Sequence, residues 1–212
     1  VLYVGCYYRR LFYSLAGFTL ITLVVLSGFT RSLDEYAYAH FRAYNNLVDL
    51  ITETASIVFL GVAWLILVAV SFFRSRRLGK LTFKLGLLLV VSAVLDAALK
   101  LVFRIPRPGG GAMPEGLLQA LEFFSYPSGH STRAVAISLL LGGEYGYPWN
   151  ILLYTWATAV CLTRILLGVH WLSDVVGGAA AGFIVYYATE ILDIPVRRLL
   201  KLIHLEFILG SM

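Results

Sequence analysis

Apolar residues in this chain gather in long runs separated by short charged or Gly/Pro-rich breaks. The runs cover residues 11–29, 51–73, 81–103, 149–169 and 173–192, with a shorter one opening near Ser128. A membrane-crossing helix needs roughly 20 mostly apolar residues, so the pattern predicts six spans. The fourth is the short one. Little chain separates Gly129 from a break at Gly142-Gly143, so a short or steeply embedded helix is expected there. Segment 32–50 mixes acidic, aromatic and apolar residues and predicts one amphipathic helix lying in the interface. Residues 105–127 form a Gly/Pro-rich loop. The tail over 195–209, with Arg197, Arg198, Lys201 and Glu206 among apolar residues, is expected to lie along the interface.

Composition agrees. The chain has 212 residues, 59% hydrophobic and 14% charged, with mean hydropathy +0.82, whereas a soluble domain carries about 25% charged residues. The expectation is an all-α, polytopic membrane protein, one domain over 1–212. A net charge of +5 raises the question of nucleic acid. Most cations, however, flank apolar runs or sit in the motifs below, so no nucleic-acid partner is expected. Cys6 and Cys161 are too few for a disulfide framework and lie far apart along the chain. The first run has no convincing small-residue cleavage site and reads as a retained helix.

Arg9, Arg10, Arg74, Arg76, Arg77, Lys80, Arg197, Arg198 and Lys201 fall in connections that share one side of a six-span topology. The positive-inside rule makes that side cytoplasmic, with both termini. A plasma-membrane location follows as the expectation, with the opposite loops facing outward. Gly177, Gly178 and Gly182, with the alanines at 179–181, form a small-residue surface. It reads first as packing within one bundle and second as a dimer face; the oligomeric state is left open, a monomer included.

Three stretches at the ends of apolar runs carry the chemistry, and all three fall on the outward side. The first is Lys100-x6-Arg107-Pro108. It sets two long cations at one aqueous mouth, with Arg107 suited to bidentate grip of phosphate and Lys100 to point-charge attraction. Arg104 reads instead as a snorkelling cation. The second, Pro127-Ser128-Gly129-His130, precedes a helix whose unpaired N–H groups make an anion site. Gly129 there lets the backbone approach an anion, and Ser128 adds a hydroxyl. Arg133 is either an outer phosphate contact or a solvent charge.

The third stretch is Arg164-x5-His170-x3-Asp174. If helical, the i,i+4 spacing puts the carboxylate beside the imidazole, a base-and-orienter arrangement. Together these residues can hold a phosphate, attack it and protonate its leaving group. Metal ligation is the competing use of the histidines. No close His/Cys/carboxylate cluster is visible around His40, His130, His170 or His204, and the neighbouring cations would repel a metal. Neither metal nor other cofactor is expected. Asp96, one turn before Lys100, reads as tempering that lysine or as a buried polar helix contact.

In order and spacing, the three stretches resemble the tripartite signature of the type 2 phosphatidic acid phosphatase (PAP2) superfamily. Thr163 stands where that family usually has serine, and it preserves the hydroxyl. The resemblance implies a six-helix bundle and a compact prokaryotic lipid-phosphate phosphatase. It implies that His170 is the nucleophile forming a phosphohistidine, that Asp174 orients it, and that His130 is the general acid and base. Lys100, Arg107, Ser128, Gly129 and Arg164 are implied to bind phosphate, with no metal. Vanadium haloperoxidases share such a pocket, but the hydrophobic six-span character points away from them. Expected partners are the bilayer and a lipid phosphate such as undecaprenyl diphosphate, phosphatidylglycerophosphate or phosphatidic acid. Two alternatives remain: a lipid phosphoryl-group transferase using the same site, and a binding or transport protein that kept the anion pocket. Segment 115–124 is either a short amphipathic lid or a passive connector.

Overall fold

The structure, a computed structural model, describes residues 2–111 and 114–202; among them it is all-helical. The helices are α1 (Leu2–Leu26), α2 (Arg31–His40), α3 (Asn46–Glu53), α4 (Ile57–Ser75), α5 (Lys80–Phe103), α6 (Leu117–Phe123), α7 (Gly129–Tyr145), α8 (Trp149–Leu166) and α9 (Leu172–Leu202). Four of these, α1, α4, α5 and α9, are long and apolar enough to cross a membrane. With 17 residues in α7 and 18 in α8, this pair does not meet the same measure. The two run as a hairpin whose ends return to one end of the bundle, where Ser128 N donates to Asp174 O and Ala43 N to Leu166 O.

α7 is the central helix, packed against α5, α8 and α9. Gly129, Ser131, Thr132, Ala134, Ala136, Ser138 and Gly142 are all buried along it. Small side chains let three neighbours approach one axis closely, the device membrane bundles use where lipid gives no hydrophobic drive. The glycines of α9 answer them. A Cβ on Gly177 would lie 2.5 Å from the Tyr126 ring, one on Gly178 2.5 Å from Ser128 O, and one on Gly182 2.7 Å from Val135. The small-residue surface is therefore spent inside the bundle. Leu88, Leu89, Ala136, Ile137, Leu140 and Val185 form the apolar core below it.

Several boundaries differ from the sequence pattern, each for a local reason. Segment 32–50 is two helices, because Asn45 caps α3 by accepting from Val48 N at 2.9 Å. The span expected from residue 51 starts at Ile57, where Ser56 caps it through Phe59 N at 3.1 Å. Gly142-Gly143 does not break α7. A Cβ on Gly142 would sit 3.3 Å from Asn150 and Tyr154, so this glycine admits α8 and stops nothing. The tail does not leave the bundle at Pro195, since α9 continues to Leu202. Proline costs one ladder bond there. Buried Arg197 holds the following turn, donating to Asp193 Oδ1 at 2.6 Å and Lys80 O at 3.2 Å, and it covers the Phe83 ring. The remainder of the expected tail, with Glu206 and also His204, lies outside the described residues.

Candidate active site

Short backbone pairings bring the first two stretches together. After α5 ends at Arg104, residues 105–107 run antiparallel to 123–125, with Ser125 N donating to Ile105 O at 2.7 Å and Arg107 N to Phe123 O at 3.2 Å. Pro106 and Phe124 form an isolated bridge. This clip sets Arg107 beside the turn that carries Pro127 to His130. Buried Tyr126 anchors the turn from below, its hydroxyl 2.8 Å from Thr22 Oγ1 of α1 and its ring stacked on Phe18.

The cations reach inward from this frame. Lys100 Nζ donates to Leu121 O at 2.7 Å, and Arg107 Nε to Glu122 O, so the last turn of α6 holds both. Arg107 Nη1 donates to Val169 O at 3.0 Å and lies 3.4 Å from His170 Nε2. Arg164 Nη1 donates to Thr52 Oγ1 of α3 at 2.8 Å, while its buried Nε has no partner in the structure. The Nε2 of His130 is likewise buried and unpartnered.

His170 lies in the turn between α8 and α9. Gly168 makes that turn possible, with φ +66° in the left-handed region and its N–H donating to Ile165 O at 2.9 Å. A side chain there would also strike Arg42, 2.9 Å from the Cβ position. The i,i+4 pairing of His170 with Asp174 therefore forms across a helix start and not along a continuous helix. His170 Nδ1 is 3.3 Å from Asp174 Oδ2, which also accepts from Trp171 N at 2.8 Å. With Nδ1 turned to the carboxylate, Nε2 faces Arg107. Burial first, then Arg107 and Arg164, hold the imidazole well below its ordinary pKa, so the ring is neutral near pH 7. Lys100 also faces it.

Ser128, His130, Lys100, Arg107, Arg164, His170 and Asp174 thus converge on one end of the bundle. One residue behaves differently from expectation. Arg133 is neither an outer contact nor a solvent charge: it is buried, 3.4 Å from Asp96 Oδ2, and donates to Ala55 O at 3.0 Å. Asp96 is accordingly the buried polar helix contact, with Lys100 a further charge in its surroundings. Gly129 also has a second reason to be glycine, since a Cβ would lie 2.9 Å from Asp96 Oδ2 and 3.0 Å from Arg133 Nη1. Arg104 ends α5 in the left-handed region, exposed, as a helix-end cation should be. Missed from the sequence were Thr52 and the carbonyls of Leu121 and Glu122.

Fold and site together define a multi-pass, all-α membrane architecture with histidines and cations gathered at one end. Residues 81–192 match the model of the PAP2 superfamily, and the chain belongs to that family. It is 36% identical over 115 residues to a lipid A 1-phosphatase of Porphyromonas gingivalis, covering 53% of this chain and 24% of that protein. It is 32% identical over 121 residues to a decaprenylphosphoryl-5-phosphoribose phosphatase of Mycobacterium tuberculosis, covering 57% of this chain and 66% of that protein. The chain thus spans less than two thirds of either relative. In fold it resembles a transmembrane PAP2-type phosphatidylglycerolphosphate phosphatase of Bacillus subtilis, at TM-score 0.68 and 22% identity over 89% of this chain and 98% of that one. Aquifex aeolicus LpxE aligns at TM-score 0.55 and 24% identity over 75% of this chain and 93% of the other.

Proposed function

We propose that this protein hydrolyses a membrane lipid phosphate or diphosphate through a phosphohistidine on His170. The observation that carries the reading is the orientation of that ring: Nδ1 meets Asp174 at 3.3 Å and Nε2 faces Arg107 at 3.4 Å. The lone pair of Nε2 is then aimed where a phosphoryl group would be held by Arg107, Arg164, Lys100, the Ser128 hydroxyl and the Gly129 N–H. Nε2 attacks phosphorus in line, the bond to the lipid oxygen breaks, and His130 supplies the proton that oxygen needs. Water then attacks the phosphohistidine, giving its proton to His130, and inorganic phosphate leaves. The cations offset charge as it develops on the phosphoryl oxygens. Asp174 holds the tautomer and shares the positive charge that builds on His170.

An amphiphile suits the surroundings. A cavity of about 420 Å³ beside the site has an apolar wall of Val25, Leu26, Ile105 and Trp171 and a charged edge of Arg31, Asp34 and Glu35. Basic residues Arg9, Arg10, Arg74, Arg76 and Arg77 lie at the far ends of α1, α4 and α5 from Lys100 and Arg107. That separation supports an outward-facing site in the plasma membrane and cytoplasmic termini, with α7 and α8 completing six crossings. Substrate candidates are undecaprenyl diphosphate, phosphatidylglycerophosphate and phosphatidic acid.

The test is phosphate release by purified wild type and His170→Ala, in EDTA, on those three lipids. Activity that survives EDTA and disappears in the variant supports the metal-free histidine route, and an acid-labile, base-stable phosphoprotein in rapid quench identifies the intermediate. Well-folded wild type that releases no phosphate from any of the three sinks the hydrolase reading.

A further inference from the structure

Helix α2 lies outside the matched family segment, yet it grips the turn that carries His170. Asp34, 7% exposed, accepts from Ser173 N through Oδ1 at 2.8 Å and from Ser173 Oγ through Oδ2 at 2.8 Å. Further along, the Tyr38 ring packs on Trp171 with centroids 5.7 Å apart, and Ala43 N donates to Leu166 O at 2.8 Å. The Trp171 indole in turn donates to Pro106 O at 2.8 Å, next to Arg107. The turn over 166–173 is thus held from α2 at its middle and its end, and at its start from Ala43 in the connection after α2.

The first N–H groups of a helix have no partner within it. At α9 two carboxylates supply them. Asp174 takes Trp171 N–H with Oδ2, the same oxygen that meets His170 Nδ1. Asp34 takes Ser173 N–H from outside the helix, where a negative charge also favours the positive end of the helix dipole. The direction of Asp174 Oδ2 therefore depends on the register of this first turn. At 3.3 Å its contact with His170 is already near the outer limit of hydrogen bonding. A rotation of the turn by a few tenths of an ångström is enough to lose it.

We propose that Asp34 is a positioning residue for the His170–Asp174 pair, holding the first turn of α9 through Ser173. The proposal rests on the phosphohistidine reading above for its kinetic consequence. Removing the carboxylate strands two buried donors of Ser173, and the turn relaxes toward other acceptors. Phosphate grip, which belongs to Lys100, Arg107 and Arg164, is left in place, although Asp34 and Ser173 also line the cavity beside the site. The signature is a loss in kcat at saturating lipid together with a changed His170 tautomer.

Asp34→Ala, Asp34→Asn and Ser173→Ala are compared with wild type in detergent, on whichever of the three lipids wild type turns over fastest. Rates are taken per folded molecule, with the folded fraction read from melting curves. In parallel, ¹⁵N NMR of the histidine rings reports the His170 tautomer. Asp34→Ala is expected to lower kcat at saturating lipid about 10- to 100-fold. Its His170 signal should shift from Nδ1–H toward a mixture. Asp34→Asn keeps one acceptor oxygen and should fall between; it carries the test if the alanine variant does not fold. Ser173→Ala, which keeps the backbone bond, should be the mildest. Reduced stability with kcat per folded molecule and the His170 tautomer both unchanged overturns the proposal. Wild type without phosphate release would fail the hydrolase reading alone, because the tautomer still reads whether Asp34 sets the ring.

Discussion

Gly178→Ala tests how closely α9 must approach the Ser128 turn. The added Cβ would lie 2.5 Å from Ser128 O and 3.0 Å from Ser131 Cβ, short of the 3.4 Å where ordinary contact begins. The nearest atom is a backbone carbonyl, on a residue fully buried and tied through its own N–H to Asp174 O at 3.0 Å. It cannot swing aside as a side-chain tip could, so α7 and α9 must part by about 0.9 Å. Overpacking of this kind costs about 1–3 kcal/mol. The larger effect should be on turnover, because the same displacement separates Ser128 and His130 on one helix start from Asp174 on the other. Misplacement of about 1 Å can cost 100-fold in rate. The assay is phosphate release per folded molecule alongside detergent melting curves, with Gly61→Ala on α4 as the control. Nothing lies within 4 Å of a Cβ there, so that change should be neutral or stabilising by up to about 1 kcal/mol. A Gly178→Ala protein with wild-type melting and turnover would refute the close-packing argument.

Asp96→Asn leaves Arg133 charged and buried without its carboxylate and should destabilise by about 3–5 kcal/mol, read as a lowered melting temperature; Asp96→Leu with Arg133→Met should recover much of it. Thr52→Val takes away the hydroxyl that receives Arg164 Nη1 at 2.8 Å. A hydrogen bond to a charged group is worth about 1.5–3 kcal/mol, so kcat/KM should fall about tenfold or more, and an unchanged value would remove Thr52 from the site. The lowered pKa of His170 predicts its pH profile. Below its ordinary 6.5 the folded ring stays neutral while the unfolded one takes a proton. kcat/KM should therefore hold as pH drops past 6.5 and fall only at the lowered value, whereas stability declines from 6.5 downward, where only the unfolded ring takes a proton, and levels off below the folded value. Arg107→Gln, removing the nearest cation, should move the limb upward; an acid limb at or above 6.5 in wild type would contradict the burial argument.

Much of the fold and the candidate site was legible in the sequence because charge is costly inside an apolar run. Lys100, Arg164 and Asp174 stand out for that reason, and residues 81–103 read almost to the residue as α5. Helix ends were less legible where one side chain decided them, as with Asn45 capping α3, or where a distant contact overrode a local breaker, as Arg197 does after Pro195. Roles that depend on partners far along the chain were not legible at all. Arg133 looked like a surface or phosphate charge until α5 brought Asp96 beside it, and Asp34 looked like one polar residue of an interfacial helix. The sequence by itself determined the all-helical, multi-pass membrane character and the inventory of cations and histidines, since hydrophobic run length and isolated charge are properties of a segment. Only the tertiary structure decided which groups hold that inventory in place: Asp34 for Ser173 across 139 positions, Thr52 for Arg164 across 112, and the carbonyls of Leu121 and Glu122 for Lys100 and Arg107. Every residue has a carbonyl, and a carboxylate acquires a partner only when the chain returns to it, so neither role leaves a mark on the linear sequence.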